Sequence, residues 1–98
     1  MSETPPPPFD EAEEIAYLRD TPVEAILGNH LFVLLQLATL RLSEAPVDFA
    51  SAQLVIDTVA AMIDAAGNRL GEYVELYRSA LSEVQQAYVR ATVAARNS

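Results

Sequence analysis

The segment GNHLFVLLQLATLRL, from Gly28 to Leu42, decides the fold of this chain. From Leu31 to Leu42, only three polar residues interrupt the apolar ones. The rest of the chain is acidic and has the composition of a soluble protein. Such a run must be covered by a membrane, by the core of the chain or by another copy of the chain.

The residues before this segment predict where its helix begins. In Thr21-Pro22-Val23-Glu24, the threonine predicts the N-cap, the proline fits the first helical position and the glutamate completes a capping box. The helix should continue to Leu42 or Ser43 and end before Pro46, because the residue preceding a proline is disfavoured in helical geometry. The segment therefore predicts one long apolar helix.

Two later stretches carry apolar residues at alternating spacings of three and four, a pattern typical of helices packed along their length. The first stretch begins after Asp48, and the second begins near Gly71 or Glu72. Gly67-Asn68 lies between them and is typical of the left-handed residue that ends a helix. A short connection between two such stripes predicts an antiparallel helical hairpin.

The short connection also sets the register of this hairpin. Facing residues should have numbers that sum to about 138 if the two helices are joined by a tight turn. Phe49 then lies level with Tyr88, and Asp57 comes level with Arg78. We expect the two aromatic rings to pack together and the two charged residues to form an exposed ion pair, which stabilises by less than about 1 kcal/mol.

The N-terminal part of the chain has a different character. Residues 1–9, MSETPPPPF, contain four consecutive prolines and predict an extended tail. Asp10 then predicts the cap of a short helix with a thin apolar stripe. We predict an all-α fold: one small helical domain over residues 10–96, with a short N-terminal helix, a long apolar helix and an antiparallel C-terminal helical hairpin.

Composition excludes several classes of function. The 98 residues carry a formal charge of −8, with no cysteine and no lysine. Without cysteine there is no disulfide framework, zinc knuckle or thiol chemistry. Without a basic stripe, direct binding to nucleic acid or to an anionic lipid surface is not expected. The acidic, proline-rich start is unlike a signal peptide, so the expected location is the cytoplasm.

The order of short motifs in the two later helices resembles a bacterial family known as domain of unknown function 1844. The matching strings are DFASAQLVIDTV (48–59), GNRL (67–70) and LSEVQQAYV (81–89). The upstream string TPVEAILGNHLFVLLQLATLRL (21–42) is similar to the actinobacterial version, which contains a His-Leu pair. One departure is Ala65-Ala66, where other members often carry a Lys-Thr pair. The resemblance implies a small helical protein without an assigned reaction, encoded near translation genes.

His30 and Asp57 are the candidates for a polar site. His30 is the only histidine, and no carboxylate stands three or four residues from it, which excludes a Glu-x-x-His di-iron motif. Asp57 shares a helix face with Asp64, but about 10 Å of helix axis separates them, too far for one shared ion. We predict no catalytic residue, no cofactor and no metal, and we expect His30 to make one hydrogen bond in a buried or interfacial position.

Seen down its axis, the long helix is apolar nearly all round. One broad stripe, which begins at Val23, predicts the side facing the core, yet further large apolar residues lie outside that stripe. Three other helices in one chain cannot enclose it, so we expect a two-fold homodimer. The interface candidates on this helix are Leu31, Phe32, Val33, Leu35, Gln36, Leu37 and Leu40.

These observations predict a non-catalytic structural or protein-interaction module that self-associates in the cytoplasm and binds a protein partner the sequence does not identify. A membrane is not expected, because spanning takes about 20 predominantly apolar residues. The long helix reaches that length only by including polar residues such as Glu24 and Arg41. The alternative is an enzyme, or a metal- or ligand-binding site, assembled at a subunit interface around His30.

Overall fold

A computed structural model describes residues 11–97 of the chain. Over this range the protein is helical and contains no strand, which confirms the predicted all-α fold. The elements are α1 (Glu11–Asp20), α2 (Val23–Ser43), α3 (Phe49–Ala66), a short 3-10 helix (Gly67–Leu70) and α4 (Val74–Asn97).

Helices α2, α3 and α4 pack against one another as a three-helix bundle, with α3 antiparallel to its two neighbours. The core between them is apolar, and no polar side chain is buried among residues 11–97. Helices α2 and α3 contribute buried residues at spacings of three and four, as the sequence pattern predicts. In α4 the same spacing appears only when the half-buried Tyr77 and Leu81 are counted with the buried residues. The buried core residues are Leu31, Leu35, Ala38, Ala52, Ile56, Val59, Ile63, Leu70, Val74 and Val84.

The predicted hairpin of α3 and α4 is confirmed, including its register. The rings of Phe49 and Tyr88 meet edge to face, with 5.6 Å between their centroids and 83° between their planes. At the other end, Gly67 ends α3 with φ of +53° and donates its N–H to the Ile63 carbonyl. Because the turn lies at Gly67, the contact between Phe49 and Tyr88 holds the two helices together at the opposite, open end of the hairpin.

The start of α4 differs from the prediction by two to three residues. A 3-10 turn follows α3 and places Leu70 in the core, and Gly71 then turns the chain with φ of +91°. Helical geometry resumes only at Val74. Burying Leu70 favours this longer connection, which apolar periodicity alone does not reveal.

The starts of α2 and α3 are built differently. At α3, which begins after Asp48 as the sequence predicts, the Asp48 carboxylate caps the helix: it accepts from the Ser51 hydroxyl at 2.7 Å and from the Ser51 backbone N–H at 3.1 Å. At α2, the predicted Thr21 cap is wrong, since no side chain caps this helix and Pro22 occupies the N-cap position. Thr21 instead donates its N–H to the Tyr17 carbonyl and closes the last turn of α1.

Helix α1 has no buried residue, and only Ala16 is half-buried. A hydrogen bond of 3.2 Å, from the Asn29 amide to the Tyr17 hydroxyl, links α1 to the bundle. The short, thinly apolar helix predicted from the sequence is therefore present. The proposed tail and the Asp10 cap lie outside the described residues, and the domain limits of 10–96 stay a prediction.

Candidate functional site

The interface candidates on α2 divide into two groups. Leu31 and Leu35 are buried within the single chain, so they belong to its own core. Phe32, Val33 and Leu40 are 56%, 60% and 58% exposed. Exposure of three large apolar side chains on one helix confirms that the other helices described here do not enclose α2.

The remaining candidates continue this outer surface. Gln36 is exposed, and Leu37 is half-buried. The predicted core stripe is correct in its middle but wrong at its start, because Val23 is 68% exposed. Val23 lies in the first turn of α2, beyond the part of the helix that contributes buried residues.

A groove of about 690 Å³ runs between α2 and α4. Its walls are largely apolar, with Phe32 and Leu40 on the α2 side and Leu76 on the α4 side. Leu76 is 62% exposed. Among the described residues that line the groove, Glu83 is the only charged one. The outward face of α2 and this groove thus form one continuous apolar surface.

Gly28 determines how closely α4 approaches α2. A Cβ at Gly28 would overlap the hydroxyl of Tyr77, which lines the same groove. Sequence reasoning missed this contact, although a signal existed: glycine within a helix costs about 1 kcal/mol relative to alanine, so its presence points to a packing reason. Gly28 is also buried, whereas Phe32 and Leu76 on the two walls of the groove are exposed.

His30 makes the single hydrogen bond expected of it. It is exposed, so the prediction that it is buried is wrong for one chain, and an interfacial position stays a prediction. Its Nδ1 donates to the Ile26 carbonyl at 2.8 Å, one turn earlier in α2. The ring borders a second cavity of about 600 Å³ between α1 and α2, whose lining includes Glu13 and Glu14. Residues 11–97 nevertheless contain no group of three histidine or acidic ligands that could hold a metal ion.

Asp57 does not form the predicted ion pair with Arg78. The Asp57 carboxylate accepts from the Gln53 amide at 2.7 Å, while Arg78 pairs with Glu75 one turn away in α4. Partners three and four residues apart on one helix need no alignment between helices, so they are the easier pairs to form. No hydrogen bond or ion pair joins Asp57 to His30 in the described chain.

Within residues 11–97, two segments are long and apolar enough to cross a membrane: Val23–Ser43, with 21 residues, and Phe49–Leu70, with 22. Length alone therefore does not exclude a membrane, and the absence of membrane binding stays a prediction. Core helices of soluble proteins meet the same criterion.

Compared with known proteins, the chain matches no family model, no curated protein and no solved structure. The resemblance to the domain of unknown function 1844 family therefore stays a prediction that depends on the motifs alone.

Proposed function

We propose that the protein is a non-catalytic protein-interaction module that forms a homodimer through the α2–α4 face. We define this face as the exposed residues Phe32, Val33, Gln36 and Leu40 of α2 together with Leu76 of α4. The observation that carries the proposal is the exposure of its four large apolar side chains beside one groove. Contiguous apolar surface rimmed by polar residues is typical of protein-interaction sites.

The energetics favour association through this face. Each large apolar side chain contributes about 1.5 to 3 kcal/mol when it is fully buried. Burying four half-exposed side chains in each of two copies gives a gross gain on the order of the 4 to 15 kcal/mol that association costs in lost freedom. A second copy supplies the same apolar surface in the same amount, which a two-fold interface requires.

We propose a cytoplasmic protein that binds neither membrane nor nucleic acid directly. The formal charge of −8 and the absence of lysine oppose contact with phosphate-rich surfaces. Polar residues within both membrane-length helices, including Arg41 in α2 and Asp57 in α3, make insertion costly. A role near translation rests on the family resemblance alone. Extraction in detergent-free buffer tests the location, and recovery only with detergent would contradict it.

A site around His30 is the weaker candidate. It would need further ligands from a second copy, because the described residues of one chain offer only Glu13 and Glu14 beside the histidine. We therefore propose no enzymatic reaction. A stoichiometric metal signal in the purified protein, lost in a His30→Ala variant, would replace this proposal with a metal-binding one.

Light scattering at micromolar concentration tests the dimer directly. The wild-type protein should have twice the mass of one chain, whereas Phe32→Asp and Leu40→Asp should weaken or abolish the dimer. Leu54→Asp is the matched control, because Leu54 is 67% exposed but lies on α3, away from this face. Circular dichroism should show that the control keeps its helices.

A stable wild-type monomer would contradict the proposal. Equal dissociation by Leu54→Asp would instead move the interface to α3.

A further inference from the structure

Glu83 is a carboxylate on an apolar groove. It is exposed, and its side chain makes no hydrogen bond or ion pair within residues 11–97. Its neighbours three and four positions away in α4 are Ser79, Ala80, Gln86 and Ala87, none of which carries a charge. A surface acid can remain solvated here in one chain, but a second copy seated on the groove would need to offer it a positive partner.

Arg90 lies on the same side of α4, two turns after Glu83. Seven residues advance a helix to within about 20° of two full turns. Arg90 is exposed and likewise makes no side-chain hydrogen bond or ion pair in the part of the chain that the structure describes. By contrast, Glu75 and Arg78 satisfy each other within the same helix. Glu83 and Arg90 are therefore two opposite charges, about 10 Å apart along one helix, and both lack a charged partner among residues 11–97.

In a two-fold dimer, this spacing allows Glu83 of one copy to lie opposite Arg90 of the partner subunit. If the α4 helices of two copies lie antiparallel with the axis midway between Glu83 and Arg90, each glutamate faces the other copy's arginine, and the contact occurs twice. A parallel arrangement would place Glu83 against its own symmetry copy, where like charges repel. In a chain with a formal charge of −8, that repulsion would add to an already unfavourable net charge.

The residues around the proposed axis permit close approach. Ala80 and Ala87 line the groove on the same side of α4 as Glu83, and Ala94 continues this side beyond Arg90. Small side chains allow two antiparallel helices to approach, so a glutamate and an arginine at the edge of the contact can reach each other. Leu76 then contacts the final turn of the partner's α4.

We propose that the partner bound at the α2–α4 face is a second copy whose α4 runs antiparallel to this one, with Glu83 of each copy paired to Arg90 of the partner subunit. This inference rests on the proposed homodimer and adds its orientation. The two reciprocal pairs select the antiparallel arrangement over the parallel one.

A charge-swap experiment on the full chain tests this arrangement. Glu83→Arg and Arg90→Glu should each raise the dimer dissociation constant about tenfold or more, because each places like charges opposite one another twice. The double variant Glu83→Arg/Arg90→Glu should return to within about threefold of the wild type. Dissociation constants are measured by sedimentation equilibrium at fixed ionic strength.

Two charge reversals outside the proposed contact serve as controls. Asp64→Arg on α3 and Arg78→Glu on α4 change the net charge by the same amounts, and neither residue lines the groove. Both controls should dimerise like the wild type. If a reversal reduces the helical content of the protein, the neutral variants Glu83→Gln and Arg90→Gln replace it. If Glu83 and Arg90 pair across the interface, the double variant Glu83→Gln/Arg90→Gln should dimerise at least as tightly as the weaker-binding of the two single variants.

The outcomes separate this inference from the proposed function. A wild-type dimer that is unaffected by the single reversals, or that the double variant fails to restore, overturns the antiparallel pairing and leaves the homodimer in place. A wild-type monomer overturns both. Restoration by the double variant, with unaffected controls, supports the pairing.

Discussion

Helices α2 and α3 are similar in length and apolar content, yet they present different surfaces. Helix α2, and α3 together with the 3-10 turn that follows it, are each long and apolar enough to cross a membrane. In α3, Leu54 is the one large apolar residue that is exposed, whereas α2 exposes Phe32, Val33 and Leu40 in its outer half. On its outward side α3 carries small and polar residues, including Asp57. The distribution of apolar residues around the helix, and not their number, therefore determines which helix the chain can enclose.

The difference has a physical origin in what a three-helix bundle can cover. Each helix of such a bundle faces two neighbours, so roughly half of its circumference stays open. That open half is filled with alanine, threonine and aspartate in α3, and with large apolar side chains in α2. The comparison predicts that α3 is complete within one chain, while α2 needs a partner.

The largest expected effect is the difference in stability lost when a buried leucine of α2 and an exposed leucine of α3 are truncated to alanine. Leu31→Ala in α2 should lower the free energy of unfolding by about 2 to 5 kcal/mol, because Leu31 is fully buried. Leu54→Ala in α3 should change it by no more than about 0.5 kcal/mol. Leu40→Ala sharpens the comparison: Leu40 and Leu54 are similarly exposed in one chain, so a larger loss at Leu40 indicates that a second copy covers it. Urea unfolding at matched protein concentration measures all three, and equal losses at Leu40 and Leu54 would contradict the covered α2 face.

The next effect concerns the contact that ties α3 to α4. Tyr88→Ala should cost about 2 kcal/mol, less than a fully buried aromatic residue, because Tyr88 is half-buried and packs edge to face on Phe49. Tyr88→Phe keeps the ring and is the control, which should unfold near the wild-type temperature. A Tyr88→Ala variant with an unchanged Tm would show that the hairpin does not depend on this contact.

A smaller effect is expected where α4 approaches α2. Gly28→Ala should destabilise by about 1 kcal/mol, since the overlap with the Tyr77 hydroxyl outweighs the gain in helix propensity. Tyr77→Phe removes the atom that overlaps, so the double variant Gly28→Ala/Tyr77→Phe should recover stability relative to Gly28→Ala. Thermal unfolding of the four proteins forms a double-mutant cycle, and additive effects would refute the contact.

The smallest effect concerns the cap of α3, which α2 lacks. Hydrogen bonds from the Ser51 hydroxyl and then from its backbone N–H hold the pKa of Asp48 below its ordinary value of 3.8. Because the folded-state pKa is depressed, the stabilisation is complete above the ordinary value and is lost as the pH falls through the lower folded value. Asp48→Asn keeps an acceptor oxygen but does not titrate. The Tm advantage of the wild type over Asp48→Asn should therefore be present at pH 7 and shrink below pH 3.8, and a constant difference would contradict this account.

Much of the fold could be predicted from the sequence because its signals are local. The alternating spacing in α3 and α4, the glycine at 67 and the start of α3 after Asp48 are each read within a few residues, and the structure confirms them. Apolar residues all round α2 also predicted the exposed Phe32 and Leu40.

Only the tertiary structure decided which side chains meet. The overlap of Tyr77 with Gly28, the burial of Leu70 in a 3-10 turn and the separate partners of Asp57 and Arg78 depend on distances between helices, which no local pattern encodes. The groove that displays Glu83 likewise exists only because α4 lies beside α2. Sequence periodicity determines which face of each helix is apolar, whereas packing determines how much of that face remains open to a partner.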